Sequence, residues 1–136
     1  MPDTEIARLA DRLMRRLHGA LNAKAEEFDT HRLGPGGGML LLAVADAQPA
    51  RLQDLAAAMH RDKAQMTRGI QSLERKGLIA RAADPGDARA SLLSLTPEGE
   101  TAVEAMRGAV AEALDGILAP LSDAQRAALR DILSRI

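Results

Sequence analysis

Apolar residues recur every three to four positions along most of the chain, the spacing of helices with one buried face. Ile6, Leu9, Leu13, Leu17 and Leu21 make the first such stripe, with Thr4 placed to cap a long first helix. "LGPGGG", residues 33–38, interrupts the pattern. Pro35 suits the first turn of a second helix, which "MLLLAVADA" continues as a short buried element. "QPAR" reads as a turn, and "LQDLAAAMH", residues 52–60, as a third helix with Leu52, Leu55 and Met59 inward. Asp62 is the expected N-cap of a fourth helix, "KAQMTRGIQSLERKG", which Gly77 ends. Thr96 followed by Pro97 opens a long fifth helix, with Val103, Met106, Val110, Leu114 and Ile117 on one face. Ser122 and Gln125 form a capping box for a last helix carrying Leu129, Ile132, Leu133 and Ile136.

One segment departs from this period. "RAADPGDARASLLSL", residues 81–95, alternates like sheet at its end, with Leu93 and Leu95 on one side and Ser94 on the other. Asp84, Pro85, Gly86 and Asp87 supply turn chemistry in its middle. The expected fold is therefore mostly α with one small β-hairpin.

At about 100° per residue, Met66, Ile70 and Leu73 share one narrow edge of the fourth helix. The opposite side carries Arg61, Ala64, Gln65, Arg68, Gln71, Ser72 and Arg75, with Lys63 and Thr67 on a flank. Gln and Arg pair with base edges through two hydrogen bonds, and a small Ala lets a helix approach a groove. Two short helices joined to it by a tight turn make a helix-turn-helix. The hairpin then becomes a wing. Its Arg89 is the residue that would enter a minor groove, where a narrow A·T-rich stretch concentrates negative potential. Asp87 is placed to hold that arginine or the turn.

Charge changes the picture in one respect. The whole chain carries a formal −1, which by itself argues against a nucleic-acid partner. Between His60 and Arg81, however, Arg61, Lys63, Arg68, Arg75, Lys76 and Arg81 stand against Asp62 and Glu74. Six cations against two anions leave a local +4 on a mildly acidic body, the footprint of a nucleic-acid contact. The competing explanation is an ordinary solvated helix face. Absent cysteine excludes thiol chemistry and fits a reducing, cytoplasmic setting. Phe28 is the only aromatic residue, so stacking platforms for single strands are not available. No apolar run approaches the roughly 18 to 20 residues that span a bilayer, and the N-terminal residues lack the apolar segment of a signal peptide.

The order of two helices, recognition helix and wing between long flanking helices resembles the MarR family of bacterial transcription regulators. "LERKGLIAR" (73–81), "DAR" (87–89) and "LSLTPEGE" (93–100) carry the likeness. It implies a single domain over residues 1–136, with a winged helix-turn-helix lobe at 33–95 and dimerisation helices in 1–32 and 96–136. It also implies a homodimer that binds a palindromic operator in double-stranded DNA, as a repressor or, less often, an activator. A small ligand, often an aromatic acid or phenol, would bind between the dimer helices and the DNA-binding lobe. Carried onto this chain, the helix contacts are Lys63, Ala64, Gln65, Thr67 and Arg68, and the wing contact is Arg89 supported by Asp87. Two features depart from the family pattern: the second helix opens with "GPGGG", and Gly69 stands where a branched apolar residue is usual. Gly69 is read as close helix packing.

Other chemistries find little support. The glycines of "GPGGG" run into Met39 and Leu40 rather than the Gly-Lys-Ser/Thr of a phosphate loop. His18, His31 and His60 do not share helical spacing, and no metal or cofactor is expected. His18 is the one candidate for lining a ligand site; a plain surface histidine is the alternative. No Gly-x-Ser-x-Gly elbow or other catalytic constellation is present, so an enzyme is disfavoured. The remaining rival is a winged-helix module that binds proteins, which would expose apolar rather than basic residues on the fourth helix.

Overall fold

A computed structural model describes all 136 residues. Seven helices and one hairpin follow in the order α1 (Thr4–Ala23), α2 (Ala25–Phe28), α3 (Gly34–Ala47), α4 (Leu52–Met59), α5 (Lys63–Arg75), β1 (Ile79–Asp84), β2 (Asp87–Leu95), α6 (Pro97–Ile117) and α7 (Asp123–Ser134). The expected mostly helical chain with a two-stranded antiparallel sheet is what forms. The N-cap of α1 is Asp3 rather than Thr4: its carboxylate accepts from the Glu5 and Ile6 amides at 3.0 Å, and Thr4 is already helical. A carboxylate is the stronger acceptor for those two orphan donors. Helix α4 ends one residue earlier than expected, because His60 turns into the left-handed region at φ 52°. The capping box of Ser122 and Gln125 is present in full.

The chain divides into two units, Glu26–Arg107 and the paired segments Met1–Ala25 and Gly108–Ile136, and α6 runs through both. The first unit holds the whole buried core: Leu40, Leu41 and Val44 of α3, Ala50 just before α4, Leu55 and Ala56 of α4, Met66, Ile70 and Leu73 of α5, Leu78, Ile79, Leu93, and Ala102, Val103 and Met106 of α6. In the second unit neither α1 nor α7 contributes a buried residue. Ile6, Leu9, Leu13 and Met14 of α1, and Ile132, Leu133 and Ile136 at the C-terminal end, are exposed. Within that unit Arg126 reaches back from α7 to Asp115 of α6 at 2.8 Å.

The base of the hairpin is fixed by a knot of backbone bonds. Gly77, at φ 76°, ends α5 in the left-handed conformation that glycine adopts without penalty. Thr96 then closes the hairpin against it. Its amide donates to the Leu78 carbonyl, its hydroxyl donates to the Gly77 carbonyl at 2.6 Å, and the same hydroxyl accepts from the Gly99 amide. Gly99 lies so close that a Cβ built there would stand 2.1 Å from the Leu78 carbonyl oxygen. Gly69 meets a softer neighbour, since its Cβ would lie 2.6 Å from the Leu40 Cδ2 methyl of α3. That confirms close helix packing as the reason for glycine there.

These two positions differ in what can yield. Gly99→Ala should cost about 3 kcal/mol or more, because backbone must move. Gly69→Ala should cost roughly 1 kcal/mol, because the Leu40 side chain can change rotamer and the helix gains from alanine. Gly108, with open space around it, should gain about 0.5 to 1 kcal/mol as alanine. Chemical denaturation of the three variants checks the order; a Gly99→Ala protein as stable as wild type would refute the close approach.

Candidate nucleic-acid interface

Helix α5 begins where Asp62 accepts the Gln65 amide at 2.8 Å. That bond satisfies one free donor of the first turn. With Met66, Ile70 and Leu73 buried, rotation about the axis is fixed, and Lys63, Ala64, Gln65 and Arg68 are left exposed. Thr67 is half-buried, and its hydroxyl donates to the Lys63 carbonyl at 2.8 Å. Its proton is thus used within the helix, leaving the oxygen free to accept.

In the hairpin Ile79 pairs with Leu95 and Arg81 with Leu93, and the register shifts between Ala83 and Asp84 so that Asp84 faces Asp87. Both aspartates serve the turn. The Asp84 carboxylate accepts from the Gly86 amide and the Asp87 carboxylate from the Arg89 amide, each at 2.9 Å. Asp87 therefore holds the backbone at Arg89 and leaves the guanidinium free. Lys63, Arg89 and Asp87 line one crevice of about 280 Å3, together with Arg51 and Arg81. The structure thus brings the start of α5 and the wing to a common polar surface.

The arginines on this surface fall into two groups. Arg81 donates to both oxygens of Glu74 at 2.9 and 3.0 Å, and Arg51 donates through Nε to Asp84 at 2.7 Å. No carboxylate lies within ion-pair distance of Lys63, Arg68 or Arg89. Removing Arg81 and Glu74 together leaves the local excess of positive charge unchanged. The Gly86 amide, and after it Arg51, hold the Asp84 carboxyl below its ordinary value although burial pushes the other way. A lowered carboxyl supports the fold above its unfolded value and loses that support only as pH falls through the folded one. With an ordinary value of 3.8, Asp84 stays ionised throughout the neutral range.

The hairpin is joined to the helix-turn-helix by contacts that no local pattern announces. Ala50 exchanges two backbone bonds with Leu93, at 3.0 and 2.7 Å, and the Gln48 side chain accepts from the Leu95 amide at 2.9 Å. "QPAR" is a turn, but it is also a third short rung beside β2. Of the histidines, His18 is exposed on α1, while His31 lies 3.4 Å from Glu98. No three His, Asp or Glu side chains gather in a metal-holding group, and no helix is long and apolar enough to cross a membrane.

The family model described as MarR matches residues 38–91. A transcriptional regulatory protein for the hcr operon of Thauera aromatica is 34% identical over 107 residues, covering 79% of this chain and 64% of that protein. The HTH-type transcriptional regulator YdgJ of Bacillus subtilis is 31% identical over 71% of this chain and 59% of its own length. The chain thus spans less than two thirds of these two relatives. A second Bacillus subtilis HTH-type regulator, YxaD, is 30% identical over 72% of this chain and 68% of that protein. Among solved structures, a transcriptional regulator from Pseudomonas aeruginosa superposes with a TM-score of 0.72 at 28% identity, over 96% of this chain and 95% of that one. BpsR of Bordetella bronchiseptica, whose DNA binding is regulated by 6-hydroxynicotinic acid, gives 0.72 at 25% identity, over 96% and 97%. The matched segment holds α5, most of the wing and the cations between them, and by this agreement of sequence and fold the chain belongs to the MarR family of transcriptional regulators.

Proposed function

We propose that the chain is a cytoplasmic, homodimeric repressor that binds a palindromic operator in double-stranded DNA. The single observation that carries this reading is the crevice that Lys63 at the start of α5 shares with Arg89 of the wing, two cations with no carboxylate at ion-pair distance, on a helix that also exposes Ala64, Gln65 and Arg68. Residues 33–95 meet the duplex. Arg68 and Gln65 read base edges in the major groove, Ala64 allows the approach, and Lys63 and Thr67 meet phosphates. Arg89 enters the minor groove from a wing backbone held by Asp87.

Residues 1–32 and 96–136 pair two copies. Apolar surface on this scale, with no buried residue in α1 or α7, is what a self-complementary interface about a two-fold axis covers. A small aromatic acid is the proposed effector, by analogy with BpsR. It would act only through unequal affinity for two states of the dimer. His18 is its proposed contact, and a thermal-shift screen of wild type against His18→Ala tests that role.

On this reading the operator is a pseudo-palindrome with half-site centres separated by roughly 10 bp or a multiple. Arg68→Ala should cost about 1 to 3 kcal/mol and relax preference at one symmetric position. Arg89→Ala should weaken binding to all duplexes and lower the salt slope by about one unit per subunit. Titrating duplexes recovered from a random-sequence selection, across a salt series, separates the two. If neither variant changes affinity for any duplex, the surface belongs to a protein-binding module instead.

The dimer is tested apart from DNA. Ile132→Asp combined with Leu133→Asp, at positions 56% and 59% exposed in the single chain, should yield a monomer or aggregate by light scattering. A stable dimer carrying both changes would place the interface elsewhere.

A further inference from the structure

The N-cap of α4 is an unusual use of an arginine. That position favours a short side chain that accepts an amide, yet Arg51 makes no capping bond. Its side chain turns to the hairpin, 33 residues along the chain, and meets Asp84 through both Nε and Nη2. Asp84 divides its oxygens: Oδ1 takes the Gly86 amide of the turn, and Oδ2 takes Arg51. One carboxylate thereby ties the turn to the helix-turn-helix, and at a hairpin tip its side chain is only 9% exposed. The base of the hairpin is fixed elsewhere, by Thr96, Ala50 and Gln48, and its middle by Glu74 with Arg81. Across residues 84–90 the Arg51–Asp84 pair is the only hydrogen bond or ion pair to the helix-turn-helix. Those residues carry Arg89.

We propose that Arg51 is a positioning residue for the wing: through Asp84 it holds Arg89 at the distance from α5 at which one duplex engages both. This rests on the DNA-binding reading above. Arg51 acts through the carboxylate, to which it commits Nε and Nη2, rather than through a contact of its own with DNA. A two-stranded hairpin is marginal by itself, so a tip freed from this pair samples many positions, and Arg89 then binds only in the fraction that reaches the groove.

The test uses the full chain and the tightest duplex that wild type recovers from a random-sequence selection. Arg51→Ala and Asp84→Asn should each weaken binding by roughly tenfold, and the double variant by no more than either, as coupled residues do. The salt slope should fall by about one unit per subunit, as for Arg89→Ala, and adding Arg51→Ala to Arg89→Ala should cost nothing further. Without DNA, amide exchange across residues 84–90 should quicken in Arg51→Ala while α5 stays protected. Each of the following results would overturn the inference: full affinity in Asp84→Asn with loss in Arg51→Ala, which makes Arg51 a phosphate contact; additive losses for Arg51 and Arg89; or unchanged exchange at the tip. A wild-type chain that recovers no duplex would defeat the DNA reading itself, whereas binding by wild type with both variants equal to it would defeat this inference alone.

Discussion

The close approach of Gly99 to the Leu78 carbonyl is the constraint on which the rest depends. Only a residue without Cβ can bring the first turn of α6 onto that oxygen. The contact sets where α5 stops, where β1 begins and where β2 returns, since Gly77, Leu78 and Thr96 are bonded to one another around it. Leu78 is fully buried, so the base of the hairpin is rooted in the same core that orients α5. Wing and recognition helix therefore share one rigid foundation. The "LTPEGE" segment serves this junction through Thr96 and Gly99, while the residues proposed to meet DNA lie elsewhere.

Electrostatics act on top of that scaffold by sorting cations. Arg81 and Arg51 are neutralised by Glu74 and Asp84 and act as struts. Lys63, Arg68 and Arg89 have no such partner and remain available. The net charge of −1 sums carboxylates along the whole chain and does not report these three cations, none of which has a carboxylate at ion-pair distance. Surface ion pairs contribute little to stability on average, so the value of Arg51–Asp84 and Glu74–Arg81 lies in geometry: each fixes a different point of one strand.

Local patterns in the sequence were enough to locate most helices, the capping box at Ser122, the N-cap at Asp62 and the hairpin turn, because each depends on neighbours within a few residues. The inward edge of α5 was equally readable from its period. Long-range contacts were not. Pro35 does stand in the first turn of α3, as its position suggests, but the bonds from the Leu33 and Gly34 amides to Asp29 had no such local signal. A Cβ on Gly38 would stand 3.1 Å from Met106, a partner 68 residues away. Gly69 gave a warning, as a glycine inside an amphipathic helix, but only the structure names Leu40 as its cause. Arg51 gave none: in "QPAR" it is one more exposed basic residue, and its partner lies beyond two helices. Thr4 was the expected cap of α1, and the Asp3 carboxylate takes that place instead.

The uneven distribution of burial links the two halves of the proposed mechanism. All fully buried side chains lie between Leu40 and Val103, so the lobe carrying the cations folds around its own core. The terminal helices have apolar faces but no interior, and burying those faces against a second copy would supply the missing core at about 25 cal/mol per Å2. Pairing also changes what three free cations per chain can do. Phosphate contacts are individually weak and salt-sensitive. Once one lobe is bound, a second lobe in the same dimer binds from a high effective concentration. On the proposed reading, pairing through the apolar faces of α1 and α7 would convert a small basic patch, on a chain of net charge −1, into a binder with useful affinity. The same coupling would give the proposed effector its leverage, because anything that altered how two copies pair would change whether both lobes could engage one duplex.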